Sequence, residues 1–322
     1  MRLCLAPLLL LSITIQLPAQ LIPNGSFEAG QVACPANQGQ LPAPWFQAGL
    51  NPGGADLYST DCNTAGGLDA SAWAHFAGLP GAAEGLRFAA AWSLPQPSEA
   101  IGTGLASTLT PGTHYVLSGA FAVGSVHTGV DPYDFHLAPQ QNSWRTAGAA
   151  IGQLGNFARH DAWTYDSIGF LAPNAFSADF LVLDPGNSGS NYLACDDLVL
   201  KATRFGRVGA GLPGANGPVL LSGSGSVLPA TTVTYTVSNA APNTIGALGF
   251  SFTRADYPLF GGLLVPSLSL GSVYLAIDGS GNASFSLTWI PALAGLKLYN
   301  QAWLFDPNPV GLAASAGLVT FG

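Results

Sequence analysis

Between Gly124 and Asp161 the chain collects His127, Asp131, Tyr133, Asp134, His136, Trp144, Arg145 and Arg159 in a stretch with little apparent pattern. Flat aromatic rings beside hydrogen-bonding side chains suit a sugar, whose faces are apolar and whose rims carry hydroxyls. Trp92, Tyr133, Asp134, Trp144 and Arg145 are the expected ligand-binding set, with Asn142 in the same stretch. A long polar excursion inside a domain is often functional. Most Trp in a sandwich are core, and Trp45 and Trp163, each beside strand-like sequence, read that way.

Catalysis has less to work with. A glycosidase needs two carboxylates in different environments. The glutamates are Glu28, Glu84 and Glu99, and Asp131, Asp134 or Asp161 could complete a pair, yet no spacing points to one. His75, His114, His127, His136 and His160 form no H-x-H or H-E-x-x-H zinc pattern. Gly223-Ser224-Gly225-Ser226 reads as a turn, and no G-x-S-x-G elbow occurs. Gly209 to Gly214 has the glycines of a dinucleotide loop, but Pro213 and the lack of a following helical pattern argue against one. The expectation is a protein that is not an enzyme, with a glycan-active hydrolase as an alternative.

The elements that must hold these side chains are strands. The chain has 322 residues, 41 Gly and 24 Pro, and only 8% charged residues. Short apolar runs between Gly, Pro, Asn and Ser indicate an all-β protein with many turns. Seven Trp, nine Tyr and seventeen Phe exclude disorder. Nine Lys and Arg, one of them Arg2, face seventeen Asp and Glu, with no basic cluster to neutralise phosphates. Nucleic acid and a polybasic membrane contact are therefore not expected partners.

Arg2, the apolar run Leu3 to Ile15, and Ala19 before Gln20 fit a secretory signal peptide over residues 1–19. The run is too short for an ordinary membrane span, so the mature chain is expected to be secreted or cell-surface associated, without direct membrane insertion. Cys34, Cys62 and Cys195 would remain. In an oxidising compartment two should pair. Cys34 and Cys62 lie in loop-like sequence and Cys195 in an apolar strand, so a Cys34–Cys62 disulfide is expected, closing a loop of about 28 residues and adding roughly 3–4 kcal/mol.

Residues 99–123 read as a strand pair around Thr110-Pro111-Gly112-Thr113. Trp163 to Leu171, Ala178 to Leu183 and Tyr192 to Leu200 read as further strands. Phe205 to Pro218 is rich in Gly and Pro, which places a domain boundary near Arg204. Beyond it, residues 232–237 and 283–289 alternate with period two, the mark of antiparallel strands with one wet face. The expected organisation is a first domain over 20–203, a linker or lead-in over 204–217, and a second β-sandwich over 218–322.

Two motifs carry a resemblance. Asn24-Gly25-Ser26-Phe27-Glu28 and Tyr192-Leu193-Ala194-Cys195-Asp196-Asp197-Leu198-Val199-Leu200 resemble the first and last strands of a galactose-binding-like jelly roll, as in many bacterial carbohydrate-binding modules. The resemblance covers roughly residues 22–203 and implies binding of a polysaccharide or cell-surface glycan. It also implies a structural calcium ion held by Glu28 and Asp197, with backbone carbonyls near Asn24 and Gly25. Two carboxylates brought together would otherwise repel, and a hard cation takes oxygen ligands. Asp196 and Asp197 should point to opposite faces of the strand, so only one reaches the ion.

Cys34-Pro35, Pro44-Trp45 and Asp56 to Cys62 resemble the N-terminal part of a family of large secreted bacterial surface proteins, departing by the inserted Leu57. Phe205-Gly206, Asp278-Gly279, Leu298 to Ala302, Phe305-Asp306-Pro307 and Ser315 to Leu318 resemble a C-terminal sandwich common on exported Gram-negative proteins. That second domain is expected to be immunoglobulin-like or a related sandwich. Neither resemblance brings an activity. A purely structural or adhesive envelope protein is therefore a further alternative, to be distinguished by whether an aromatic platform is exposed.

Overall fold

The computed structural model describes residues 20–29, 41–49, 54–59, 76, 79, 81–93, 99–124, 132–186 and 192–322. The proposed signal segment and both Cys34 and Cys62 lie outside the described residues. The chain is all-β, with two sandwiches. Among the described residues no helix is long and apolar enough to cross a membrane.

The first sandwich pairs two five-stranded antiparallel sheets. One contains β1 (Trp45–Gln47), β4 (Ile101–Gly104), β9 (Phe180–Asp184), β6 (Tyr133–Ala138) and β7 (Ala149–Leu154), in that spatial order. The other contains β2 (Asp56–Ser59), β3 (Arg87–Trp92), β10 (Tyr192–Lys201), β5 (His114–Val123) and β8 (Thr164–Leu171). This alternation of strands between sheets is a jelly roll. The expected pairing of the two strands in 99–123 is therefore corrected: β4 joins one sheet and β5 the other. The turn between them does form, with Thr113 N donating to Thr110 O at 3.1 Å and Gly112 at φ 71°. It turns the chain over the sandwich edge instead of closing a hairpin.

Between the sheets lie Trp45, Ile101, Leu117, Phe121, Phe135, Leu137, Leu181, Leu183, Leu193 and Cys195, all buried. The β2–β3–β10–β5–β8 sheet is covered on its other face too. Tyr58, Phe76, Phe88, Trp163 and Tyr192 form one buried aromatic cluster there. Further along, Val116 packs with Val208, Val265, Val319 and Phe321 of the second sandwich. Burial on both faces explains why Tyr115 to Val123 reads as an almost unbroken apolar run and not as an alternating one.

The second sandwich has a larger sheet of β11 (Phe205–Val208), β21 (Gly317–Phe321), β19 (Lys297–Phe305), β14 (Ile245–Ser251) and β17 (Ser272–Ala276), with β20 (Leu312–Ala314) also on β19. Facing it are β12 (Leu220–Gly225), β13 (Thr232–Ser238) and β18 (Ala283–Thr288). Val233, Tyr235 and Val237 of β13 point into the core while the intervening Thr residues stay outside, as their period-two spacing requires. A hairpin of β15 (Arg254–Leu259) and β16 (Gly262–Pro266) lies over the outer face of the larger sheet, where Gln301 Nε2 donates to Leu263 O at 2.7 Å.

The Gly/Pro-rich stretch after Arg204 is the lead-in to this sandwich, not a free linker. Phe205 to Val208 is a strand, Leu212 bonds both ways with Ala314, and Gly214 with Gly217. Gly209 exchanges two backbone hydrogen bonds with Tyr165 of the first sandwich, at 2.9 and 2.7 Å. Arg254 reaches across the same junction: Nη1 lies 2.6 Å from Asp166 Oδ1, Nη2 lies 2.6 Å from Asp256 Oδ2, and the guanidinium covers the Phe157 ring at 3.9 Å. Its side chain is only 5% exposed.

Removing one partner of a buried ion pair leaves the others uncompensated, at a cost of about 3–5 kcal/mol. Arg254→Leu is expected to lose stability on that scale in denaturant unfolding. Separation of a single transition into two would further identify this junction as what couples the sandwiches.

Candidate functional site

The outer face of the β1–β4–β9–β6–β7 sheet bears a cleft of about 590 Å³, lined by Asp134, His136, Trp144, Arg145, Gly148, Ala150 and Asp184. It is built from alternation. In β6, Tyr133, Phe135 and Leu137 point into the core, so Asp134 and His136 must face outward. Asp134 is paired in register with Asp184 on β9, which brings two carboxylates onto neighbouring positions of one face. Like charges directly opposite destabilise a sheet. Gln153 Nε2 donates to Asp134 Oδ1 at 2.9 Å, and Gly186 N donates to Asp184 Oδ1 at 3.2 Å.

A single helical turn, α1 (Trp144–Ala147), forms the wall. Trp144 packs down onto Ala100, Ala138 and Val182, and its Nε1 donates to Ala48 O at 3.2 Å. The His136 ring centroid lies 5.1 Å from that of Trp144, and the Arg145 guanidinium stands 4.6 Å above the indole. Gly148 permits this close approach, because a Cβ there would meet Trp144 O at 2.3 Å and Leu137 O at 2.8 Å. Burial lowers the His136 pKa more than the nearby Asp184 and Asp134 raise it, so the imidazole is neutral at pH 7. The cleft therefore offers two carboxylates, a neutral imidazole, a guanidinium and an aromatic edge.

The sequence-derived ligand set divides. Asp134, Trp144 and Arg145 come together in the cleft, and Trp144 contributes as a floor that is itself 6% exposed. Tyr133 is corrected to a core residue: it is fully buried, and its hydroxyl donates to Leu193 O at 2.7 Å. Neighbours in a strand face opposite ways, so Asp134 outward places Tyr133 inward. Trp92 does not join this cleft: β3 belongs to the other sheet, where the half-buried ring lies 5.6 Å from Tyr192.

Sequence reasoning passed over Asp184 and gave His136 no role. The alternation Tyr133-Asp134-Phe135-His136-Leu137 was the available signal, with Asp184-Pro185-Gly186 marking a strand end.

A second polar group surrounds the closing strand. Asp197 has φ 47° where β10 slips register against β5, so the strict alternation expected of Asp196 and Asp197 fails at a bulge. Asp196 is fully buried and accepts from Ala83 N at 2.8 Å, Glu84 N at 3.0 Å and Asp197 N at 2.7 Å. Burial pushes its carboxyl up to about 8 against those three donors. Asp197 Oδ2 accepts from Tyr165 Oη at 3.0 Å and lies 3.9 Å from Arg207 Nη1. The Glu84 carboxyl lies against that of Asp197, which raises the Glu84 pKa, and Glu28 adds a smaller repulsion.

These residues fit a hard cation in part. Glu84 joins Asp197 and Glu28 in one neighbourhood, but Glu28 Oε1 already accepts from Leu86 N at 2.8 Å and Arg87 N at 2.7 Å. The carbonyls expected to assist are committed, Asn24 O to Trp45 Nε1 at 2.8 Å and Gly25 O to Leu198 N at 3.0 Å. Among the described residues no three His, Cys, Asp or Glu side chains are arranged to hold a metal ion.

Fold and cleft together define a two-sandwich all-β protein whose first domain is a jelly roll with a polar, aromatic-edged surface cleft. No protein-family model matches the chain, and no curated protein does. Among solved structures it is similar to the K2 cleaved adhesin domain of Lys-gingipain, at TM-score 0.37 and 14% identity over 57% of this chain and 99% of that one. It is also similar to the N-terminal CBM22-1–CBM22-2 tandem domain of Paenibacillus barcinonensis Xyn10C, at TM-score 0.33 and 7% identity over 90% of this chain and 100% of that one.

Glu99, on the same side of the jelly roll as Trp92, supplies a pH test. Burial pushes its carboxyl up to about 7, although Trp92 N donates to Oε2 at 2.8 Å. A carboxyl raised above its unfolded value of about 4.3 adds stability that is full below that value and is lost as pH rises through about 7. Glu99→Gln is expected to flatten the fall in unfolding free energy between these two pH values, measured by urea titration across the range.

Proposed function

We propose that this is an exported protein whose first sandwich binds a polysaccharide or cell-surface glycan, without cleaving it, in the cleft of Asp134, His136, Trp144, Arg145 and Asp184. The observation that carries the reading is the register pair of Asp134 and Asp184 beside the Trp144 and Arg145 stack. Carboxylates and a guanidinium make charge-assisted hydrogen bonds to hydroxyls. Trp144, 6% exposed and with its ring covered by Arg145, is no exposed platform, so these polar groups carry the reading. The same two carboxylates are the inventory of a glycoside hydrolase. Chain-length analysis of incubated glycan distinguishes the readings: binding leaves the polymer intact.

Glycan-array screening followed by titration calorimetry is the test. Asp134→Ala and Arg145→Ala are each expected to weaken binding by roughly tenfold or more, the loss of one charged hydrogen bond of about 1.5–3 kcal/mol, with an unchanged melting midpoint. Retained affinity in both variants would remove the cleft from the account.

Calcium is the second part of the proposal. The ion would sit between Glu28 and Asp197, the pair the resemblance implies. What supports it is the crowding of negative charge there, where Asp197 first and Glu28 to a smaller extent raise the neighbouring Glu84 carboxyl. At an extracellular-type affinity near 10⁻⁴ M and millimolar calcium, about 1.5 kcal/mol of stability would follow. Thermal melting in calcium and in excess chelator is expected to differ accordingly, and Glu28→Gln with Asp197→Asn to abolish the difference. An identical midpoint in both buffers would end this part of the proposal.

A further inference from the structure

Among the described residues β17 ends the six-stranded sheet, with β14 as its one strand partner. The register fixes which of its backbone groups are free. Ile277 N donates to Thr244 O and Phe250 N to Gly271 O, each at 2.9 Å. In an antiparallel ladder the residues that exchange bonds recur every second position, so Val273 and Leu275 face β14. Ser272, Tyr274 and Ala276 turn their N–H and C=O groups toward the open edge. Natural edges are blunted by charges, Pro or bulges. Here the run Ser267 to Ile277 contains none of these.

The same edge borders an apolar face. Tyr274 lies beside Ala247, which is paired on its other side with Trp303; Ala276 lies beside Ile245. Phe305, two residues after Trp303, shares that face. Leu268 lies over Gly249, where a Cβ would meet its Cδ2 at 2.5 Å. Tyr274 is 68% exposed, Phe305 58%, Ile245 43% and Leu268 43%. Trp303 is held in place, its Nε1 donating at 3.0 Å to Oε1 of the buried Gln301. The β15–β16 hairpin lies over the Gln301 side of this face and leaves Tyr274, Ile245 and Phe305 exposed.

We propose that β17 pairs antiparallel with β17 of a second copy of this chain, about a two-fold axis through Tyr274. That axis sets Tyr274 against the partner's Tyr274 and Ser272 against the partner's Ala276, so all three outward-facing residues of each copy are bonded. It also places two aromatic rings opposite one another on one face. Charge selects this contact. The chain carries a net charge of −8, which opposes self-association elsewhere, whereas the edge and its face are uncharged. Exposed to these degrees, Tyr274, Ile245 and Leu268 present roughly 300 Å² of apolar surface per copy beside the edge, while Phe305 lies two strands in, on β19. With the strand edges, the total stays below the roughly 1,200 Å² of standard specific interfaces, in the range of weak, transient contacts. The result is an isologous dimer of the weak, concentration-dependent kind.

Sedimentation velocity on the full chain, without glycan, tests this independently of the cleft. Between about 1 and about 200 μM the mass is expected to rise from monomer to dimer. Tyr274→Lys and Ala276→Lys, checked for fold by circular dichroism, are expected to raise the dissociation constant at least about tenfold by charging the edge. Leu228→Lys, at a residue 62% exposed elsewhere on this sandwich, is expected to leave it unchanged. In the proposed register the two Tyr274 Cα atoms stand about 5.5 Å apart, within disulfide range. Oxidation of Tyr274→Cys should therefore trap a linked dimer, and Tyr257→Cys, at a residue 66% exposed, should not. A chain that stays monomeric throughout, or a dimer indifferent to Tyr274→Lys, overturns the proposal.

Discussion

The sheet built on β5 and β10 is buried on both faces, and much else follows from that. Its inner face meets the cleft-bearing sheet through Phe121, Leu193 and Cys195, and its outer face is shared between the Tyr58 and Phe88 aromatic cluster and the second sandwich. A strand buried twice has no wet side on which to keep polar side chains, so its carboxylates and phenols are bonded, while Ser59 Oγ and Thr164 Oγ1 are left without a hydrogen-bond partner among the described residues. Asp196 takes three backbone N–H groups. Asp166 takes Gly155 N, Ser167 N and Arg254. Tyr58 and Tyr192 share a hydrogen bond at 2.8 Å, and the Tyr192 hydroxyl passes on to Asp56.

That constraint also decides where a ligand can bind. With one sheet covered on both sides, the wet sheet face left in the first sandwich is the outside of β4, β9, β6 and β7. Its floor is small and apolar, Ala100, Ala138 and Val182, and Trp144 of α1 folds onto it. The polar rim from Asp134, His136 and Asp184 then stands beside a ring and not over bare sheet. The position of the cleft is thus a consequence of how the opposite sheet is used, as well as of the residues that line it.

The junction between sandwiches shows the same economy. Gly209 extends β8 by one bridge, Arg207 lies over the Tyr165 ring at 3.4 Å, and Tyr165 in turn bonds Asp197. The carboxylates around Glu84 therefore sit one side chain away from the second sandwich. Two domains that differ in composition are joined by bonded backbone and a buried guanidinium, so the composition shift at Arg204 marks a change of sheet and not a point of freedom.

The sequence by itself determined the class of this protein: turn residues between short apolar runs, and strict alternation in Thr232 to Val237 and Ala283 to Thr288. These are local signals, carried by period two and by Gly and Pro, and they need no knowledge of partners. Alternation in Tyr133 to Leu137 was equally legible and would have placed Asp134 and His136 on one outward face and Tyr133 in the core. What only the tertiary structure decided was strand partnership. Asp184 joins Asp134 across a sequence separation that no local pattern spans, Trp92 and Trp144 fall on different sheets, and β4 and β5 part company despite a sound turn between them. A turn fixes direction over a few residues, whereas the sheet a strand enters is chosen by which apolar faces across the whole chain can be buried together.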